Sequence, residues 1–479
     1  MDTPAVGAGI RLGIVRGISY GLFGRPDEFV RQVRDLGAGL VRVYFSWGQI
    51  EPEPSCFRWD AVDAFLEQLD GSEEVWVTLC SSSRWATRQS TDFLPPSPAR
   101  DPEAYRRFVA AVVQHCRGHV DYWQCDNEPC NVGLTWAGSA AEYVAQLKVM
   151  YEAVKEVDPG SAVILGGAPY RLPSSPQESP ERQFFDELLR DGRNAFDLFD
   201  LHLYSDHRQI SADIEAARRM MRTHGYEKPI VVGEYNGPSP DLFPEAALAL
   251  QETMTAAFGQ SAGTAEDVDA SAVGQTPERA AMSTLYRRME SLPPQLQMFM
   301  AGCSPELARR RDRINCREIV MRNLEALAAG VRRTACWCLA PEVPNYEDHL
   351  SAMDLFYGKF PLMAYEGAEI RHRHPSAEAF ALLSEQLRGV EQVTLREFPQ
   401  DSRARIFEVQ RTGRGPLFVA WDQRDTYRGE DEPPVAIEWP WPLSAARALD
   451  AFGAHHQVPV RDGRAMLSLS ATPLYLTAD

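Results

Sequence analysis

The sequence predicts an α/β protein, a (β/α)8 barrel of the TIM type followed by a small antiparallel β-sandwich. Three observations carry that prediction. Short apolar strands alternate with amphipathic helices from residue 11 to about residue 350, which means parallel sheet with crossover helices. The strands so read number eight, the number that closes the barrel. Past Gly389 the chain changes to short alternating segments separated by turns, as in antiparallel sheet.

The barrel strands are read at 12–18, 40–45, 75–80, 122–125, 162–166, 198–203, 230–233 and 334–339. The helices between them carry their own signals. Asp101 and Pro102 give an N-cap and an N1 proline, and Tyr105, Phe108, Val109, Val112 and Val113 follow on one face. Ser139 and Glu142 make a capping box ahead of Tyr143, Leu147, Met150 and Val154. A helix over 317–329 is stopped by Gly330, and the last barrel helix, 376–387, ends before Gly389.

The spacing fails once. About eighty residues separate Glu234 from the helix at 317, where a few are usual. This insertion, at about 240–315, holds helical pieces at 244–258 and 276–290 and an Ala/Ser/Gly-rich stretch at 261–275. It follows the C-terminal end of a strand, so it is expected to overhang the rim as a lid or specificity loop, the alternative being a surface excursion or a partner-binding element. The barrel is therefore assigned to 1–389 and the β-sandwich to 390–479. The latter has strands at 405–409, 417–421, 435–439, 445–449, 465–469 and 474–476 and turns at Gly413–Gly415 and Asp462-Gly463.

The 479 residues, 44% apolar and 24% charged, suit a folded two-domain protein. A net charge of −18 argues against nucleic acid and anionic membranes as partners and leaves neutral ligands such as sugars open. No apolar run approaches the roughly 20 residues of a membrane helix, and residues 1–10 do not read as a secretory signal. Nine cysteines, an odd and scattered count, fit reduced thiols and a cytoplasmic location.

Chemistry concentrates at two strand ends. In Asp121-Tyr122-Trp123-Gln124-Cys125-Asp126-Asn127-Glu128-Pro129 an aromatic strand runs into Asn-Glu-Pro. The proline forces the residue before it out of helix geometry and projects Glu128 into the barrel mouth. In Lys228-Pro229-Ile230-Val231-Val232-Gly233-Glu234-Tyr235-Asn236-Gly237-Pro238 an apolar strand ends on Glu234. Strands four and seven face each other across a barrel mouth, so both carboxyls share one rim. Two such carboxyls are what cleavage of a glycosidic bond requires. A single glutamate at a strand tip is more simply a solvated charge; two, each with a specific neighbourhood, are not. Asn127 is placed to bond a sugar hydroxyl beside the reacting carbon.

Cys125 and Cys130, and Cys336 and Cys338, lack the spacing of zinc ligands, so no metal is expected. No phosphate-cradling glycine loop follows an early strand, so no cofactor is expected either. Gly166-Gly167 reads as a tight turn.

With these motifs in place, the chain resembles the clan A (β/α)8 retaining glycoside hydrolases, in which Asn-Glu ends strand four and Glu ends strand seven. Within the clan it is most similar to the family 39 β-xylosidases and α-L-iduronidases, over about residues 12–342. The resemblance implies that Glu128 is the acid/base and Glu234 the nucleophile. It further implies that Arg42, at the end of strand two, supports the nucleophile. Tyr204 would bond that nucleophile, His202 would line the site, and Trp337 would floor it. The segment Trp47-Gly48-Gln49-Ile50-Glu51-Pro52 resembles the clan's substrate-approach loop, which makes Trp47 a substrate contact. Each aromatic alone fits core packing as well, and Arg42 alone fits a structural ion pair. Strand three departs from the pattern with Cys80-Ser81-Ser82-Ser83-Arg84-Trp85, which suggests a different hydroxyl pattern or an acidic substrate group held by Arg84.

The expectation is a retaining glycoside hydrolase acting on an equatorial, β-type glycoside, with a carbohydrate as its partner. A transglycosidase using the same double displacement, and a catalytically silent sugar-binding barrel, are the alternatives.

Overall fold

The computed structural model describes residues 9–261, 276–344, 348–398, 403–441 and 443–478, the side chains of 256–261 excepted. Eight parallel strands close in chain order into a barrel. They are β1 (Arg11–Val15), β2 (Leu40–Ser46), β3 (Glu74–Cys80), β4 (Tyr122–Cys125), β5 (Ala162–Ala168), β6 (Leu198–Leu201), β7 (Ile230–Tyr235) and β8 (Arg333–Trp337). β2, β5 and β7 are buried along their whole length, as parallel strands covered on both faces must be. The strands form where they were read, but β1, β6 and β8 end earlier. Ile18, Leu203 and Leu339 lie in the loops beyond the hydrogen-bonded tips.

The capping signals act as read. Asp101 caps the helix Pro102–His115 and Ser139 with Glu142 caps Ala140–Val157. Gly166 and Gly167 correct the tight-turn reading, because both lie inside β5. A Cβ at Gly166 would press on the Tyr143 hydroxyl, and one at Gly167 would overlap the imidazole of His202. These glycines give the neighbouring strand tips room.

Between β7 and β8 lie the helices Pro244–Ser261, Pro277–Arg287 and Pro305–Ala328. The last begins well before residue 317. Its first turns carry Arg309, Arg310, Arg311 and Arg313 in place of an apolar stripe, so periodicity does not reveal them. Arg310, Arg313 and Arg317 converge on Glu430 of the C-terminal region at 3.1, 2.5 and 2.7 Å. The insertion builds a core of its own from Phe243, Leu250, Met282, Leu285 and Phe299, closed by Leu355. The stretch 262–275 lies outside the described residues.

The C-terminal region pairs a six-stranded antiparallel sheet with a three-stranded one. Ile406, Ala420, Ile437, Trp441 and Leu467 fill the space between them, the packing of a β-sandwich. All six strands read from the sequence are present. The strands Val390–Arg396, His455–Val458 and Val460–Arg461 and the hairpin Met363–Glu366 with Glu369–Arg373 were not read, because they are short or carry mainly polar residues with little apolar alternation. Among the described residues no helix is long and apolar enough to cross a membrane.

Candidate active site

The end of β4 is bent into place. Asp126 and Glu128 both have left-handed backbone, with φ of 50° and 42°, which costs an L-residue free energy unless its surroundings hold it. They do. The Asp126 carboxylate accepts bonds from the Ser81 amide at 2.8 Å and hydroxyl at 2.7 Å, and from Gln146 Nε2 at 3.2 Å. Burial pushes the Asp126 carboxyl up to about 6, against the pull of those donors. Thr135 Oγ1 donates to the Glu128 carbonyl and Asn131 Nδ2 to Glu128 Oε2, both at 2.7 Å.

The end of β7 is a cage. Glu234 is 5% exposed. Its Oε1 accepts from Tyr44 Oη at 2.7 Å and from Arg42 Nη1 at 3.0 Å, and its Oε2 accepts from Tyr204 Oη at 2.9 Å. Arg42 also donates through Nη2 to Gln124 Oε1 at 2.7 Å and to Asn127 Oδ1 at 2.8 Å. One guanidinium thus ties β2, β4 and β7 together. Burial disfavours charge on Arg42, but Tyr44, Glu234 and Asp200 outweigh it and hold its pKa above the usual value. Burial likewise drives the hydroxyls of Tyr44 and Tyr204 well above the usual phenol range, so both donate.

His202 joins the two ends. Its Nδ1 meets Glu128 Oε1 at 2.6 Å and lies 3.5 Å from Glu234 Oε2, while Nε2 meets Asp200 Oδ2 at 3.2 Å. Burial opposes charge on the imidazole. The carboxylates of Glu234, Asp200 and Glu128 prevail and raise it to about 10. Asp200 is held low by His202 and Arg42 in spite of burial. It also accepts from the Gly233 amide at 2.6 Å, an approach that a side chain at Gly233 would block.

Above these groups lies a cavity of about 240 Å3, lined by Tyr44, Asn127, Glu128, Tyr204, Glu234 and Trp337 at its depth. Of the residues read from sequence, Glu128, Glu234, Asn127, Tyr204 and Trp337 therefore meet in one place. Arg42 bonds Glu234, the support expected of it, from a fully buried place beneath the cavity lining. Two others are placed differently from the expectation. His202 is fully buried, outside the cavity lining, and bonded to Glu128. Trp47 lies in the core, stacked on Phe108 at 5.0 Å with Nε1 bonded to Glu51 at 2.8 Å. Its helix turns it away from the mouth, and a residue packed on all sides has no face for a sugar. Arg84 is exposed and paired with Asp92 at 2.6 Å, outside the cavity lining. Ser81, Ser82 and Ser83 are buried; Ser81 donates to Asp126, Ser82 to the Phe93 carbonyl, and Ser83 Oγ accepts from the Ala86 amide.

Tyr44, Gln124, Asn131, Asp200 and Tyr357 are further members that the motifs did not single out. Tyr44 and Asp200 had a signal, since each lies two residues along a strand from a recognised position and so shares its face. Tyr357 had none, because it comes from the helix Ala352–Tyr357 beyond β8.

Glu128, His202 and Glu234 offer ligand atoms that lie within 4.8 Å of one another, the spacing of a possible metal site. Both His202 nitrogens face carboxylates and its proton is strongly held. In this geometry each imidazole nitrogen is taken up by a carboxylate of the protein.

No family model matches the chain, and no curated protein matches it in sequence. Solved structures do match. A family 39 glycoside hydrolase from Bacteroides cellulosilyticus WH2 aligns over 98% of this chain and 81% of its own, with a TM-score of 0.62 and 14% identity. A family 51 α-L-arabinofuranosidase from Bifidobacterium longum aligns over 99% and 97%, at 0.55 and 11%. A monomeric β-xylosidase from Caulobacter crescentus CB15 aligns over 94% and 91%, at 0.54 and 13%. The chain shares the fold of these glycoside hydrolases. The likeness covers the barrel and the β-sandwich alike, in the same order along the chain.

Proposed function

We propose that this protein is a retaining glycoside hydrolase that cleaves a β-type, equatorial glycosidic bond. The observation that carries the reading is that a carboxylate oxygen of Glu128 and one of Glu234 lie within 4.8 Å of each other across the mouth. Retaining enzymes hold their two carboxyls about 5–5.5 Å apart, whereas inverting ones leave about 6.5–9.5 Å for a water. In the first step Glu234 attacks the anomeric carbon while Glu128 gives its proton to the departing oxygen. The bond to the aglycone breaks and a glycosyl ester on Glu234 forms. In the second step Glu128 takes a proton from water, whose oxygen replaces Glu234 at the anomeric carbon. Tyr44, Tyr204 and Arg42 aim the nucleophile, and His202 with Asn131 aims the acid/base. The nine cysteines, all free thiols, support a reducing, cytoplasmic setting in this reading.

The test is intact-protein mass spectrometry after incubation with 2-deoxy-2-fluoro glycosyl fluorides, glucose and xylose among them. A mass increase of one fluorosugar, absent in Glu234→Gln, is the expected result. No adduct and no release from a panel of 4-nitrophenyl glycosides, alongside measurable sugar binding, would overturn the reading in favour of a silent barrel.

A further inference from the structure

The outer half of the cavity differs in chemistry from its depth. Leu22, Phe93, Leu94, Pro96, Leu134 and Met353 line it, contributed by the loops after β1, β3, β4 and β8. Phe23 stands beside them, edge-on to Phe93 at 5.1 Å. Phe23, Leu134 and Met353 are 59%, 55% and 58% exposed, an unusual state for large apolar side chains gathered at one place. No Arg, Lys or His lines the cavity among the described residues. The wall also lies on one side of the reaction. Leu134 sits in the loop whose Asn131 and Thr135 hold Glu128, and the Pro96 carbonyl accepts from the Ala137 amide at 2.8 Å, which joins the β3 and β4 loops into one surface. Glu128 is the group that protonates the leaving oxygen, so what departs must pass along this wall.

We infer that the natural substrate is a neutral sugar joined to an uncharged, apolar alcohol, and that the collar of Leu134, Phe93 and Met353 binds that aglycone. The inference rests on the glycosidase reading and extends it to the leaving group. A sugar in the leaving position brings hydroxyls that need partners, and the polar side chains of this wall, Asn131 and Thr135, already donate to Glu128. An alkyl or aryl group brings surface that gains by leaving water. The far side of the collar is held in place by the insertion. Glu278 accepts from the Ala352 amide at 2.7 Å and Arg279 pairs with Asp348 at 2.7 Å. Through its described residues the insertion thus braces the helix that carries Met353.

The experiment compares kcat/KM for methyl and octyl glycosides of the sugar that labels Glu234. The two leaving groups are alkoxides of similar basicity, so their difference reports binding of the chain. The octyl glycoside is expected to be better by about tenfold or more, and Leu134→Ser and Met353→Ser, both at exposed positions, should each cut that ratio severalfold. Equal values for methyl and octyl, or a disaccharide of the same sugar preferred over both, would overturn the inference and leave the glycosidase reading standing. An absence of any adduct and any turnover would overturn both.

Discussion

The two carboxyl-bearing strand ends are built on opposite plans. Glu234 sits near the tip of β7, where the pairing with β8 shifts register, is almost fully buried, and is gripped by three donors, two from β2 and one from the loop after β6. Glu128 ends a strained turn, keeps 18% of its side chain exposed, and leans on His202 and Asn131. The proposed mechanism gives that contrast a reason, since a nucleophile must stay in one position with its charge satisfied. An acid/base must exchange protons with a leaving group and then with water, so it needs an accessible face and a nearby charge that steers it. Rigidity and access are thus divided between two residues that share one rim.

Substitutions should expose this division, with the largest effect at the caged end. Glu234→Gln is expected to lower kcat by about 10,000-fold or more on every substrate, read by steady-state kinetics. Glu128→Gln should cost about 100- to 10,000-fold on alkyl glycosides and much less on 2,4-dinitrophenyl glycosides, whose leaving group needs no proton. Azide should restore part of that loss for Glu128→Gln and none for Glu234→Gln. If both variants lost activity equally on both leaving groups, the division of roles would be wrong. Tyr204→Phe removes one donor from the cage and should cost about 10- to 100-fold in kcat, with KM little changed.

Smaller effects fall on stability. The His202 imidazole is raised from 6.5 to about 10, so its contribution is complete below about pH 6.5 and is lost as pH rises through about 10. Thermal melts of His202→Gln should show a shallower decline over that interval than wild type. Asp126 runs at a lower pH. With its carboxyl raised from 3.8 to about 6, its neutral form fits the fold best, and that advantage is complete below pH 3.8 and gone above about 6. Asp126→Asn should flatten the melting temperature between pH 4 and 7, by the smallest margin of the set. A profile unchanged by the substitution would place the titration elsewhere.

Much of this was legible in the residues. Periodicity and capping signals located the eight strands, and the spacing of Asn127-Glu128-Pro129 and Gly233-Glu234 pointed to the two carboxyls that meet in the candidate site, because strand ends and turn residues act locally. What distance in the chain conceals came out differently. Trp47 shares the aromatic character of Trp337, and only packing separates a core residue, closed in by Phe108 and Trp85, from one that lines a cavity. Arg84 looked available and is spent on Asp92.

The sequence by itself determined the barrel, the sandwich and the two glutamates, since pattern and turn chemistry are properties of neighbouring residues. The tertiary structure alone decided that Arg42 reaches Glu234 across 192 residues, that His202 bridges both carboxyls, and that an apolar collar closes the mouth. Those depend on which side chains meet when the strands close on themselves, and no local pattern encodes that meeting.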